Sequence, residues 1–231
     1  MQAPSHTHII TVLLVDDHQI VLEGLTALLE AEKDIHVVGR ALDGQQAVSL
    51  EAELHPDVVV MDIAMPILNG LEATRHIHRH NPGARVVLLS AHRDDVYIER
   101  ALALGASGFL IKQSSAHVLA DAIRKIHAGG TFYSPGIEQS IRQRRKEDLN
   151  RLGTPTRSAA SLTPREAETL QMVAEGMANK QMADHLKISI KTVEKHRNNL
   201  MRKLGIHDTA GLTRYAIATG VIQSHVPETS N

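Results

Sequence analysis

The chain has 231 residues, a formal charge of −1 and no cysteine, which suits two small domains and excludes both a disulfide framework and thiolate chemistry. No charged start leads into an apolar core at the N-terminus, and no apolar run approaches ~18 residues, so neither an export signal nor a membrane span is expected and the cytoplasm is the expected compartment. Charge is divided unevenly, with 10 Lys+Arg against 16 Asp+Glu in residues 1–137 and 15 against 10 in residues 138–231, so an acidic half and a basic half have separate work.

Short β-branched apolar runs recur at 10–15, 35–39, 57–61, 85–89 and 108–111, each followed by a segment of helical period. The first run is closed by Asp16-Asp17, and beyond it Val21, Leu25, Leu28 and Leu29 are spaced as one helix face. After the second run Asp43-Gly44 reads as a helix start, and the third run is closed by Asp62. His76, His78 and His80 follow; only His76 and His80 share a helix face, no partner completes a metal set, and a solvated helix end is expected there. His18, after the acidic pair, suits the crevice or the surface equally. The fourth run ends at Ser90, Gly105 reads as a helix stop, and Lys112 follows the fifth run.

Continuously apolar strands are buried on both faces, which requires helices above and below a parallel sheet. The expected fold is α/β: a flavodoxin-like, doubly wound, five-stranded parallel sheet in a domain of residues 1–130, ending near Gly129-Gly130. In such a sheet ligands sit beyond the carboxyl ends of the first and third strands, where strand order reverses. Asp16, Asp17 and Asp62 meet there, and like charges so close need a cation. A small hard cation, Mg²⁺, suits carboxylate oxygens. Together with a hydroxyl from Ser90 and the compact charge of Lys112, the acids make a phosphoryl-transfer site with a carboxylate nucleophile.

Residues 131–159 read as a linker, partly helical and basic. Tyr133-Ser134-Pro135 is a helix start, Ile137 and Ile141 lie one turn apart, Arg142-Gln143-Arg144-Arg145-Lys146 is a basic run, and residues 153–160 are small and polar. Residues 160–231 read as all helix. Thr163-Pro164-Arg165-Glu166 is a capping box, and a helix bearing Leu170 and Val173 stops at Gly176. Asn179 is expected to cap a second helix carrying Met182, Ala183 and Leu186, and Ser189 a third that ends at Gly205. On the third helix Val193, Leu200 and Leu204 face one way, while Lys191, Lys195, Asn198 and Arg202 form a polar stripe flanked by Thr192 and His196. A short turn between two helices, the second presenting bases and amides, is a helix-turn-helix. A last helix opens at Asp208 and stops at Gly220.

Val15-Asp16-Asp17-His18, Met61-Asp62-Ile63-Ala64-Met65-Pro66 with Asn69-Gly70, Leu89-Ser90-Ala91 and Gly105-Ala106-Ser107-Gly108-Phe109-Leu110-Ile111-Lys112 resemble, in order and spacing, the receiver domain of two-component response regulators over residues 9–130. The resemblance implies that Asp62 accepts phosphate from a histidine kinase, that Asp16, Asp17, Asp62 and the Ala64 carbonyl hold Mg²⁺, that Lys112 meets the phosphoryl group, and that Ser90 and Phe109 form a switch in which the ring turns inward. Ser90 and Phe109 stand where the family often has Thr and Tyr, so packing rather than a phenol must carry that switch. Gln113 stands where many relatives place proline, after a bond the family holds cis.

Leu162-Thr163-Pro164-Arg165-Glu166, Glu175-Gly176-Met177-Ala178-Asn179-Lys180, Lys191-Thr192-Val193-Glu194-Lys195-His196 and Arg202-Lys203-Leu204-Gly205 resemble the LuxR-type DNA-binding domain over residues 160–222, a pairing found in the NarL/FixJ subfamily. That likeness puts Lys191, Glu194, Lys195 and Asn198 near bases of double-stranded promoter DNA, and Lys180, Thr192, His196 and Lys203 near phosphates. It also makes the last helix, with Leu212, Ala216 and Ile217, the contact of a homodimer. Glu194 departs from the lysine or arginine of many relatives; a carboxylate there either accepts from cytosine N4 or merely repels phosphate, so the base sequence is left open. The implied function is that of a phosphorylation-controlled transcription regulator and not an enzyme. Two rivals are a regulator whose receiver works without phosphate, as a dimerisation or ligand-sensing module, and a haloacid-dehalogenase-like phosphatase, whose nucleophile belongs in an early Asp-x-Asp motif that is absent here.

Overall fold

The computed structural model of the protein describes residues 9–91, 95–112, 116–134, 137–138, 162–219 and 221–222. Its first part is a parallel sheet of β1 (Ile10–Val15), β2 (Ile35–Ala41), β3 (Val58–Asp62), β4 (Val86–Ser90), β5 (Gly108–Ile111) and β6 (Phe132–Tyr133), in the order β2-β1-β3-β4-β5-β6. Five helices, α1 (Gln19–Glu30), α2 (Gly44–Leu54), α3 (Gly70–His80), α4 (Asp95–Ala103) and α5 (Ala116–His127), alternate with the strands. Successive strand residues point to opposite faces. Leu13, Val59, Met61, Leu88 and Phe109 therefore enter one core with α2, α3 and α4, whereas Val12, Val60, Val87 and Leu110 enter a second with α1 and α5.

The sheet has six strands rather than the expected five. Phe132 donates its backbone N–H to Ser107 and Ser134 donates to Phe109, which lays the two-residue β6 along β5. A pair of residues just after Gly129-Gly130 has no readable period, so only pairing with β5 defines this strand. The apolar side chain of Ile137 then packs into the same core as Phe109. Both Ile137 and Glu138 bond back to the Ser134 carbonyl, as the expected helix start requires.

The second part consists of α6 (Pro164–Ala174), α7 (Asn179–Leu186), α8 (Ile190–Leu204) and α9 (Thr209–Ala218). Thr163 caps α6 reciprocally with Glu166, Ser189 caps α8, and Asp208 caps α9. Gly205 ends α8 at φ 66°, a left-handed turn that suits glycine. Asn179 does not cap α7: Ala178 takes that position, Gln181 Oε1 accepts the Ala178 N–H at 2.8 Å, and Asn179 Oδ1 accepts from Arg197 at 2.8 Å instead. Leu170, Val173, Met182, Leu186, Val193, Leu200 and Leu212 form the core of this part. Gln113, the basic run at 142–146, the stretch 153–160 and Gly220 lie outside the described residues. Among the described residues no helix is long and apolar enough to cross a membrane.

Candidate functional site

The strand order reverses between β1 and β3, and their carboxyl ends bring Asp16, Asp17 and Asp62 together. Asp62 is buried, and Lys112, delivered by the end of β5, places Nζ 3.0 Å from Asp62 Oδ2 and 2.7 Å from Asp16 Oδ2. Burial pushes the Asp62 carboxyl up to about 6, with Asp16 and Asp17 pushing the same way and Lys112 partly countering them. Burial also works against the Lys112 ammonium, but Asp62 and Asp16 outweigh it and raise its pKa. The group is thus an ion cluster with more negative than positive charge in a low-dielectric place, an arrangement kept for chemistry rather than for stability.

His18 is exposed at the mouth of the crevice. Its backbone N–H donates to Asp16 Oδ1 at 3.0 Å, and its Nδ1 lies 3.2 Å from the same oxygen. Among the described residues the enclosed Asp17 Oδ1 accepts no hydrogen bond, although His18 Nδ1 is 2.8 Å away. One ligand atom each from Asp16, Asp17 and His18 falls within 4.8 Å of the others. An orphaned carboxylate oxygen among further carboxylates is the donor set of a hard divalent cation, so these residues fit Mg²⁺.

The loop from β3 to α3 frames the site. Gly70 packs so closely that a Cβ would lie 2.1 Å from the Asp62 carbonyl oxygen, and its N–H donates to Ile63 at 2.9 Å. Asn69 caps α3 by accepting the Glu72 N–H at 2.9 Å. Together, Asn69-Gly70 fold the chain back onto the strand end that carries Asp62. Ser90 ends β4 in register with Ile111 and is fully buried, and the Phe109 ring is fully buried as well. The ring is therefore already inside the core in this conformation, where it packs with the apolar side chains of that face.

On α8 the expected stripe of Lys191, Lys195, Asn198 and Arg202 faces solvent, as does Glu194, while Val193 and Leu200 are buried beneath. Thr192 and His196 flank the stripe half-buried, the Thr192 hydroxyl within 2.8 Å of the Ser189 hydroxyl that caps the helix. Lys180 is exposed, and Lys203 Nζ is tied to Glu166 Oε2 at 2.8 Å. Arg197 was not singled out by sequence, yet it joins α7 to α9 through Asn179 and Thr209. Leu212 and Ala216 are fully buried in their own domain's core and are not free to meet a partner, which corrects their expected place in a dimer contact; Ile217 is exposed. Helical spacing marks an apolar face, but here that face packs mainly against α6.

The two parts meet along a buried polar seam that no sequence pattern pointed to. Gln171 of α6 accepts the Asn69 N–H at 3.0 Å and donates to the Met65 carbonyl at 2.9 Å. Asn69 Nδ2 donates to the Val221 carbonyl, His76 Nε2 lies 2.7 Å from Glu168 Oε1, and Arg100 donates to both Glu72 and the Thr219 carbonyl. His76 is thus half-buried in an interface rather than at a solvated helix end, and His78 faces the Leu104 and Ala84 carbonyls. A cavity of about 490 Å³ opens between Asp17, Ala64 and Met65 on one side and Ala174, Glu175 and Met177 on the other. The second part therefore reaches the rim of the acidic site while leaving the α8 stripe open.

Comparison with known proteins finds two families along the chain. The family of response regulator receiver domains matches residues 12–124, and the bacterial regulatory proteins of the luxR family match residues 160–216. The transcriptional regulatory protein MctR of Rhizobium johnstonii is 39% identical over 92% of this chain and 95% of its own length. RcsB from Salmonella enterica serovar Typhimurium, solved bound to a promoter in the presence of the phosphomimetic BeF₃⁻, is 26% identical with a TM-score of 0.55, covering 89% of this chain and 97% of that one. Another RcsB structure, of two dimers bound to two parallel DNAs, gives a TM-score of 0.54 at 26% identity, covering 92% of this chain and 99% of that one.

Proposed function

The chain belongs to the two-component response regulators in which a receiver precedes a LuxR-type DNA-binding domain, and we propose that Asp62 is its phosphoacceptor and that phosphorylation controls dimerisation and promoter binding. It is a DNA-binding transcription regulator, not an enzyme. The observation that carries the phosphoacceptor reading is the buried Asp62 carboxylate at the end of β3 with Lys112 Nζ 3.0 Å away and two further carboxylates beside it.

Although burial raises its carboxyl to about 6, Asp62 is mainly ionised at pH 7 and so is available as a nucleophile. One of its oxygens attacks the phosphorus of a phosphohistidine on the kinase; the P–O bond forms as the P–N bond breaks, and the departing imidazole takes a proton. Lys112 leaves its bridge between Asp16 and Asp62 to meet a phosphoryl oxygen, and the Ser90 hydroxyl donates to another. Asp16, Asp17, Asp62 and the Ala64 carbonyl would hold Mg²⁺, which supplies neutralisation of the charge that otherwise repels the anionic donor. Withdrawal of Ser90 toward the phosphate alters the packing around Phe109, and the change shifts a two-state equilibrium of the receiver.

On the DNA side, Lys191, Lys195 and Asn198 suit base edges in the major groove and Lys180, Thr192, His196 and Lys203 suit phosphates, with Glu194 placed to accept from cytosine N4. RcsB dimers on DNA support a homodimer for this chain, with the exposed Ile217 of α9 as its remaining candidate contact. Among the described residues the receiver does not cover the α8 stripe, so control acts through the seam at α6 and α9 rather than by blocking the DNA-reading residues. Incubation of wild type and Asp62→Asn with acetyl phosphate and Mg²⁺ tests the reading: stoichiometric, Mg²⁺-dependent uptake by wild type and none by the variant is expected, and equal labelling of both would overturn it.

A further inference from the structure

Gln171 lies in the DNA-binding domain, yet its fully buried side chain is spent on the loop that frames Asp62. Its carbonyl oxygen accepts the Asn69 N–H at 3.0 Å, and its amide nitrogen donates to the Met65 carbonyl at 2.9 Å and to Glu175 Oε1 at 2.7 Å. Both halves of one amide therefore hold the two ends of the stretch Met65–Asn69. Glu175 reaches the same stretch again, accepting the Ile67 N–H at 3.3 Å.

Ile67 adds an independent observation. It stands at φ 70°, a left-handed conformation in which a β-branched side chain is an outlier. Such strain persists only where the surroundings hold it. What surrounds the Ile67 side chain is the core of the DNA-binding domain, against which it packs. The docked domain thus adds to what holds the loop, beside the receiver's own Leu68–Pro66 and Gly70–Ile63 bonds, and the peptide next to the one held by Gln171 carries the Ala64 carbonyl.

We infer that Gln171 is a positioning residue for the phosphoacceptor site: by gripping Met65 and Asn69 it makes docking of the DNA-binding domain and loading of the Asp62 site by Mg²⁺ and a phosphoryl group oppose each other. The inference rests on the reading of Asp62 as the phosphoacceptor whose phosphorylation alters domain docking. Its sign comes from linkage: if loading the site releases the domain, releasing the domain strengthens loading by the same factor. Coupled sites in proteins commonly differ by roughly 5- to 150-fold in affinity, and a single clamp of three hydrogen bonds belongs at about tenfold.

The test uses the full chain. Wild type, Gln171→Ala and Gln171→Glu are titrated calorimetrically with Mg²⁺ alone and with Mg²⁺ plus beryllofluoride, and domain separation is followed by small-angle scattering. Gln171→Glu keeps the acceptor for Asn69 but removes the donor to Met65 and Glu175, so it opens the seam even where the alanine variant fails to fold. Both variants should expand and should bind Mg²⁺ plus beryllofluoride about tenfold more tightly than wild type, a change that a merely structural loss in the distant helix would not produce. An expanded particle with wild-type affinity overturns the coupling, and a compact particle with wild-type affinity overturns the clamp. If wild type binds Mg²⁺ but no beryllofluoride, the phosphoacceptor reading fails, and the Mg²⁺ titration alone decides the coupling, equal affinities refuting it.

Discussion

Replacing Asp62 with asparagine should stabilise the receiver at neutral pH even as it removes the phosphoacceptor. The structure sets the size of the effect. Asp62 is 3% exposed and its carboxyl rises from 3.8 to about 6, chiefly through burial and then through Asp16 and Asp17, with the attraction of Lys112 already counted against that rise. Two units of raised pKa correspond to about 3 kcal/mol of destabilisation when the group is fully ionised, which is the ceiling on the gain from a neutral isostere. That gain amounts to roughly 6–12 °C in the unfolding midpoint. The sign with pH follows from proton uptake: the folded receiver protonates Asp62 near pH 6, before the unfolded chain does near 3.8. Stability lost to the crowded charge is therefore fully lost above pH 6 and regained as pH falls through that window. Calorimetric scans of wild type and Asp62→Asn at pH 7.5 and pH 4.5 should show a large gap at the first pH and a small one at the second. A variant less stable than wild type at pH 7.5, or a gap that does not shrink on acidification, would refute the reasoning.

Two further outcomes follow from the same structure. Lys195→Ala removes an exposed cation from the α8 stripe without touching the core beneath it, and it should weaken promoter binding by about 1–3 kcal/mol at fixed salt; fluorescence anisotropy at several salt concentrations checks this, and unchanged affinity at all of them would remove the residue from the interface. Phe109→Ala opens a hole under a fully buried ring and should destabilise the receiver by about 3–5 kcal/mol, read from urea unfolding followed by far-ultraviolet circular dichroism. It should also blunt any beryllofluoride-induced change in DNA affinity.

The sequence revealed most where local chemistry decides structure. The β1 and β3 runs are apolar because both faces of the sheet are covered, and their acidic ends fall at the strand-order reversal, so Asp16, Asp17 and Asp62 are readable from the sequence as one site. Caps behaved likewise: Asp43, Thr163, Ser189 and Asp208 each accept a helix N–H as their residue types suggest. Where a side chain answers to a distant partner, the sequence was silent. Nothing local marks Gln171 as the partner of residues 65 and 69, or Glu168 as the partner of His76, since those pairs are separated by 92 to 106 positions. Leu212 and Ala216 were given to a second chain by the family likeness, which names an element of contact and not which of its side chains are buried in their own core. β6 escaped because two residues carry no period.

These features describe a receiver and a DNA-binding domain joined by contacts that begin within a few residues of Asp62. Arg100 donates to the Thr219 carbonyl and Asn69 to the Val221 carbonyl, so the end of the helix expected to meet a second copy is itself partly engaged by the receiver. Release of the seam would free both the loop over the acidic site and the end of α9.

The most direct test of phosphorylation-controlled DNA binding is the affinity of the full-length protein for its promoter DNA with and without Mg²⁺ and beryllofluoride, measured at one salt concentration beside Asp62→Asn. Wild type should bind more tightly and as a dimer when beryllofluoride is present, while the variant should not respond. Equal affinity of wild type in both conditions, or an equal response from Asp62→Asn, would contradict the account.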